Sequence, residues 1–566
     1  MVLSLVVGVV SSAALRIAGG QDVPGNPFQV VLELITGRLR WSGGATVATI
    51  GMLLVVVATS VAIVRPLLAR RGHRTRVDDI AKYMGTLRDV ESLTEAGCTG
   101  IARKLGVRLG EGGAPGIPLG THIPSGAPLY ASYEDVIVDI WGPRTGKTTS
   151  RVIPAILSAI GPVLATSNKR DVVDATRWVR EQQTGVPVRI FDPQNITGEK
   201  PTWYWNPLSK ISNEVNSAAL AARFADGQDG RAAKADAFFE PEGQDLLGGL
   251  FLAAAIGKRP ITIVYEWASD YNDKTSIKIL QNHGGFPQVA KGLISQYNAA
   301  EKQKSGVFAT ARKMAVCLKM THIQAWVTDD GTDREHFDVD AFVRSRGTLY
   351  PMSREGEGSA SPIIAALVES VTNAAVDYAS TQPGGRLAVP LLAALDEAAN
   401  VVPWRDLPKL YSHFGSRGIN VMTVLQSWSQ GVEVWGPDGM RKLFSAANVK
   451  GYGGGVALDD GEFLTNLSSA IGEHWALQTS VSLGSHTSAN RSVVERRMLK
   501  EADLEALPRG RAIIRSSGNR PVLIKPAPWY EGPFADAVNA SIRKSEQRTA
   551  ELIAAASVTL EKGEAA

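Results

Sequence analysis

Apolar residues fall along this chain in three kinds of run. Residues 136–141, 162–166 and 187–191 are short apolar stretches bounded by Gly, Pro or polar residues, and they read as strands. Residues 148–160, between the first two, carry helical periodicity that Pro154 permits only with a bend. Strand-like runs return at 347–352, 391–395, 418–425 and 511–514. From 207 to 338 they vanish, and a period near 3.6 takes over, as in 244–256 and 306–320. The pattern predicts an α/β sheet domain in two parts, 131–206 and 339–530, interrupted by an all-α domain over 207–338. Residues 70–130 are amphipathic and then Gly/Pro-rich at 110–118, which predicts a stalk and linker. Residues 531–566 predict one exposed helical tail with a frayed end. Internal repeats are absent from the sequence.

The third kind of run carries no charge at all. Residues 44–64 would extend about 31 Å as a helix, against a hydrocarbon thickness of about 30 Å. A buried core helix is the alternative, but the run has no polar face and is followed by Arg65, Arg70, Arg71, Arg74 and Arg76. Such a basic cluster marks the cytoplasmic side of a membrane. Residues 2–15 are also apolar, without the basic start of a cleaved signal peptide, and they read as a first membrane helix over about 2–18. The expectation is a multi-pass anchor, residues 1–69, in the plasma (inner) membrane. Residues 19–43 would lie outside, with a large cytoplasmic domain from about Arg70 onward.

Composition changes this picture little. A chain of 566 residues suggests roughly three or four folding units. The formal charge of +4 is nearly all accounted for by the arginines after the apolar run, so it does not argue for nucleic acid. Cys98 and Cys317 stand alone, which excludes a disulfide framework and a thiolate metal site. None of the eight histidines has zinc-ligand spacing, so no transition metal is expected.

The chemistry begins after the first strand. Gly142-Pro143-Arg144-Thr145-Gly146-Lys147-Thr148-Thr149 lies between an apolar strand and a helix, the setting of a phosphate-cradling loop. Lys147 would reach the β- and γ-phosphates of ATP, and the Thr148 hydroxyl would ligate Mg²⁺. The loop has three residues between Gly142 and Gly146 where four are usual, and Trp141 stands in the register of the missing glycine. A second half of the site is supplied by the apolar run Leu391-Leu392-Ala393-Ala394-Leu395, which ends in Asp396-Glu397. Asp396 would hold the Mg²⁺ shell through water, and Glu397 would polarise the attacking water. Gln426 is a candidate γ-phosphate sensor or water orienter, with a surface amide as the plainer reading. Arg417 is a candidate arginine finger across a subunit boundary, and here a surface arginine is the stronger alternative. Lys169-Arg170 is a candidate DNA contact, with a solvated loop as the plainer reading; no dense basic stripe with interleaved aromatics occurs.

With those residues placed, the chain resembles the TraG/TraD family of type IV coupling proteins. The resemblance rests on Leu395-Asp396-Glu397-Ala398-Ala399-Asn400, Leu407-Pro408-Lys409-Leu410, Ser416-Arg417-Gly418-Ile419 and Gln426-Ser427-Trp428-Ser429-Gln430, in that order. Phe191-Asp192-Pro193, Trp205-Asn206-Pro207-Leu208 and Leu507-Pro508-Arg509-Gly510 before a hairpin add to it. The resemblance implies a RecA-like P-loop motor domain with an inserted all-α domain, N-terminal transmembrane helices and a homo-hexameric ring. It also implies DNA-stimulated ATP hydrolysis, relaxase-bound single-stranded DNA as cargo, and delivery to a type IV secretion channel during conjugation. An FtsK-like duplex DNA pump is a second reading, although residues after 530 are too few for a winged-helix module. A membrane receptor that binds nucleotide without turnover is a third. The shortened loop supports that receptor, and the Asp396-Glu397 pair argues against it.

Overall fold

The structure, a computed structural model, describes residues 2–55, 59, 75–110, 113–227, 238–354, 360–402, 404–460, 462–482 and 488–564. It separates into two compact units, Met1–Arg76 and Val77–Ala566. In the first, helices Val2–Ala18 and Pro27–Ile35 pack through Ala14, Leu15 and Val30, joined by Ala45 of a further helical stretch that starts at 43. Asn26 caps the second helix by accepting from the Phe28 N–H, and Pro27 at the first position loses no intrahelical bond. Among the described residues no helix is long and apolar enough to cross a membrane. The first has 17 residues, and part of the expected span at 44–64 lies outside the described residues.

The second unit is built on an eleven-stranded sheet. Its chain order begins β1 (Ile117–His122), β2 (Pro128–Ala131), β3 (Ile137–Ile140), β4 (Val163–Thr166) and β5 (Arg189–Phe191). A separate ladder pairs β6 (Trp203–Tyr204) with β7 (Glu335–His336). Then follow β8 (Thr348–Pro351), β9 (Leu391–Leu395), β10 (Ile419–Leu425) and β11 (Val449–Tyr452). A lone hairpin, β12 (Glu473–Ser482) with β13 (Ser488–Arg497), precedes β14 (Ala512–Ser516) and β15 (Val522–Lys525). The spatial order is β2-β1-β15-β14-β11-β3-β10-β9-β4-β8-β5. From β11 to β5 every pairing is parallel, and from β14 to β2 every pairing is antiparallel. The parallel strands are buried on both faces, with Val138 and Ile140 facing one core and Ile137 and Trp141 the other, as a sheet covered on both sides requires.

Two expectations are corrected here. The stalk and linker assigned to 70–130 gives up residues 117–130 to β1 and β2, which pair onto β15 and extend the sheet. Gly120, at φ 141°, has room for no side chain beside Lys525 O, so the Gly/Pro content marked a close strand crossing as well as a loop. The tail is one helix, Ala535–Glu564, but one face of its first half is buried. Val538, Ser541 and Ser545 are buried against helix Asp171–Thr184, where Ser541 Oγ donates to Asp174 O at 2.6 Å.

Between β6 and β7 every regular element among the described residues is helical, from Glu214–Asp226 to Thr321–Val327. Helix Phe239–Ile256 is apolar around most of its surface and sits at the centre, with Leu246, Leu247, Leu250 and Phe251 fully enclosed. The two-residue ladder Trp203–Glu335 and Tyr204–His336 closes the neck of this insertion.

Candidate nucleotide site

At the carboxyl end of β3 the ladder continues for one residue, with Trp141 N–H donating to Leu425 O at 2.9 Å. The chain then turns, and Gly142 N–H donates to Gly454 O at 2.9 Å. A Cβ on Gly142 would lie 2.1 Å from Gly455 O, and one on Gly453 would lie 1.8 Å from the Trp141 ring. Glycine is therefore obligatory where these two backbones cross. Trp141 is buried behind the loop, away from where phosphate would sit. The loop closes with Thr145 Oγ1 donating to Gly142 O at 2.5 Å, and Gly146 turns it at φ 93°. Arg144 is exposed at the tip in the left-handed region, φ 60°, a conformation costing a non-glycine residue about 1–2 kcal/mol.

The chain enters its helix through a π turn, Thr148–Val152, before α-helix Ile153–Ser158 begins. Ile153 N–H donates to Thr148 O, and Pro154, lacking an N–H, falls in the first turn of the α segment. The bend expected at Pro154 is this change of helical register. Thr149 Oγ1 and Ser150 N–H both donate to Gly146 O, at 3.1 and 2.9 Å, which fixes the loop on the helix start.

Strands β9 and β10 lie beside β3 in parallel register, so residues leaving their carboxyl ends meet the loop. Glu397 leaves β9 at φ 54°, again in the left-handed region. Lys147 Nζ donates to Glu397 Oε1 and lies 3.8 Å from Asp396 Oδ1. Thr148 Oγ1 donates to Asp396 Oδ2 at 3.3 Å. Gln426 Nε2 donates to both Glu397 oxygens, at 2.8 and 2.6 Å. Behind them, Gln426 N–H donates to Gln430 Oε1 and Gln430 Nε2 to Asn400 Oδ1, at 2.9 and 3.0 Å. Thr166 Oγ1, from β4, donates to Asp396 O at 3.1 Å.

Burial pushes the Asp396 carboxyl up to about 6, with Glu397 and Asp171 adding to the rise while Lys147 and Thr148 oppose it. Asp396 Oδ1 is buried without a hydrogen-bond partner among the described residues. A buried carboxylate oxygen left over beside a threonine hydroxyl fits the outer shell of Mg²⁺, which prefers carboxylates and retained waters. Lys147, Thr148, Asp396, Glu397 and Gln426 are thus gathered within one cluster, with Gly142, Thr145, Gly146 and Thr149 shaping its loop.

Arg417 is not gathered. It precedes β10, at the amino edge of the sheet, one seven-residue strand away from Gln426, or about 23 Å. Pro143 is exposed at the loop and makes no contact that bears on the site. Sequence reasoning missed the brace Gly453-Gly454-Gly455, whose run of three glycines after a strand was the available signal. It also missed Asp139, fully buried under the loop and paired with buried Arg151 at 2.8 Å. Asp192 and Asn206 serve turns, accepting from Thr197 N–H and Leu208 N–H at 2.6 and 3.0 Å.

The family described as "TraM recognition site of TraD and TraG" matches residues 390–509, the segment holding Asp396, Glu397, Gln426 and the glycine brace. No curated protein sequence matches the chain. Among solved structures, the unbound bacterial conjugative coupling protein TrwBdeltaN70 is similar over 74% of this chain and 90% of its own, at 19% identity and a TM-score of 0.53. The plasmid coupling protein TrwB in complex with ADP and Mg²⁺ is similar over 70% and 85%, at 18% identity and a TM-score of 0.51. TrwB with a non-hydrolysable ATP analogue gives the same values. At such identities the likeness is one of fold. Matched segment and shared fold agree with the resemblance drawn from the motifs: residues 390–509 match a TraD and TraG segment, and the chain shares its fold with the coupling protein TrwB.

Proposed function

We propose that this chain is a membrane-anchored, ATP-driven motor that passes relaxase-bound single-stranded DNA to a type IV secretion channel. The observation that carries the reading is the convergence of Lys147, Thr148, Asp396, Glu397 and Gln426 at the ends of adjacent parallel strands. Lys147 binds the β- and γ-phosphates, and Thr148 and Asp396 hold the Mg²⁺ shell. Bound Mg²⁺ supplies charge neutralisation at the phosphate oxygens. Glu397 accepts a hydrogen bond from the attacking water and aligns it, because hydrolysis in line with the leaving oxygen needs a positioned water. Gln426, holding both Glu397 oxygens, keeps that carboxylate aimed and reports its position to helix Trp428–Ala446. Lys147 exchanges its Glu397 partner for phosphate when nucleotide enters.

The anchor reading is supported by exposed Val47, Ile50, Leu53 and Leu54 on the helical first part of the uncharged run. The TrwB likeness in fold and the segment 390–509 support the conjugative setting. A homo-hexamer is proposed with them, and Arg417 at the amino edge acts as a finger only if it reaches a neighbouring subunit's site. The test is hydrolysis of MgATP by the detergent-solubilised chain with and without single-stranded DNA. Glu397→Gln is expected to retain nucleotide binding and lose turnover by at least about 100-fold, whereas Lys147→Ala loses both. Unchanged turnover in either variant rules out the site. Binding without hydrolysis in the wild type, with every DNA tried, leaves the non-hydrolysing receptor instead.

A further inference from the structure

Where the sheet becomes antiparallel, Lys450 of β11 stands directly opposite Arg515 of β14. Like charges directly opposite each other on paired strands are destabilising. Both side chains are half-buried, and neither has a carboxylate partner among the described residues. Burial, with Arg515 adding to it, pushes the Lys450 ammonium down to about 8. Lys450 Nζ donates to Ala447 O at 2.5 Å and lies 5.6 Å from the centre of the Phe444 ring. Two desolvated cations held together without an acid are an arrangement that an anion would relieve.

The same place is aromatic. Arg515 lines a cavity of about 460 Å³ with Trp428, Phe444 and Phe463, between helices Trp428–Ala446 and Phe463–Ile471. Trp428 stacks on Phe463 with ring centres 5.4 Å apart, and Phe444 meets Trp428 edge-on at 5.3 Å. At the rim, Arg441 pairs with Asp438 at 3.2 Å, and Glu462 is the carboxylate of the lining. Trp428 begins its helix two residues after Gln426, with Asp460 accepting from the Trp428 and Ser429 N–H groups at 2.7 and 2.9 Å.

We propose that this cavity binds one nucleotide unit of single-stranded nucleic acid, with its phosphate on Arg515, whose charge the neighbouring Lys450 reinforces from beside Phe444, and its base against Phe444 and Trp428. Stacking on aromatic rings and phosphate contacts to cations are the general chemistry of sequence-tolerant single-strand binding. Here those groups come from three separate elements, so they form no basic-aromatic stripe in the sequence. The assignment rests on the motor reading above and deepens it by naming where the strand is held. Helix Trp428–Ala446 then links the strand to Gln426 and so to Glu397.

The test uses the full chain in detergent, without ATP, and a fluorescent oligo(dT) probe read by anisotropy across a salt series. Lys450→Met with Arg515→Met keeps the side-chain length and removes both charges. It is expected to weaken binding at least about tenfold and to reduce the salt slope by about one. Phe444→Leu is expected to weaken binding without changing that slope. Because a repulsion is relieved, the double variant's Tm in the absence of DNA is expected at or above the wild-type value. Unchanged affinity and slope overturn the proposal, and so does a lowered Tm. Displacement of the probe by ATP assigns the site to free nucleotide, and equal affinity for a duplex of the same sequence removes the stacked base; either overturns the single-strand assignment. A wild type that hydrolyses ATP but binds no probe overturns this site and leaves the motor reading standing.

Discussion

Burial lifts the Asp396 carboxyl to about 6 even though Lys147 works against the shift, because desolvation and two neighbouring carboxylates outweigh one cation. An unfolded aspartate titrates near 3.9, so the folded chain holds this proton more tightly, and stability falls as pH rises from about 4 through about 6. Above that window the ionised group is a burden on the fold that a bound Mg²⁺ would offset. Asp396→Asn is expected to raise Tm more at pH 8 than at pH 4 and to abolish Mg²⁺-dependent hydrolysis; thermal scans at the two pH values decide it, and an equal gain at both removes the burial account. Wild-type hydrolysis is expected to decline as pH drops through about 6. The buried pair Asp139–Arg151 carries a different cost, with Asp139 Oδ1 and Arg151 Nη2 both lacking partners among the described residues. Asp139→Ala is expected to cost about 3–5 kcal/mol by stranding the guanidinium, and Asp139→Leu with Arg151→Met far less; denaturant melts of the three chains make the comparison. At this scale the gathering of the site was largely legible, since Gly146-Lys147-Thr148 and Asp396-Glu397 sit at the ends of apolar strands. Asp139 was not, because a lone aspartate inside a strand reads as polar until its partner one helical segment later is seen beneath it.

Strands that could be found in the sequence were those made of apolar residues on both faces, such as β9 and β10. β1 and β11 escaped notice because Pro118 and Gly120, and Lys450 and Gly451, are residue types depleted in strands. Their conformation comes from ladders to β15, β14 and β3 rather than from propensity. β11 matters to the site out of proportion to its four residues, since its continuation Gly453-Gly454-Gly455 supports the phosphate loop. Gly453→Ala is expected to push on the Trp141 ring, cost about 1–3 kcal/mol and lower turnover more than nucleotide affinity. Tm together with kcat and KM measures this, and unchanged kcat with lowered Tm reduces the brace to a packing role. The hairpin β12–β13 shows the opposite case, with Trp475 and Leu477 exposed on one face and His474 stacked on Tyr83 at 4.5 Å on the other.

The all-α insertion was legible from a change of period, yet the two-residue ladder at its neck was not, being too short to carry a pattern. The C-terminal helix was legible as a helix but not as a packed one. Ser541 and Ser545 are small, polar and buried, so the contact face gives almost no apolar signal, and Trp178 Nε1 donates to Ser545 Oγ at 3.3 Å from the other side. Deleting residues 535–564 is expected to lower Tm by several degrees and leave nucleotide binding intact; loss of binding would tie the tail to the site. The shortened loop has a wider consequence. Its first amide is engaged by Gly454, more than 300 residues away in sequence, and the space around it is filled by Gly455 backbone. The two segments therefore fit as one part, and a change in either constrains the other. A hybrid gene that takes its first motor half from a relative with a full-length phosphate loop and its second half from this chain would join surfaces that collide. Such hybrids will recover function only when the crossover brings both segments from the same parent.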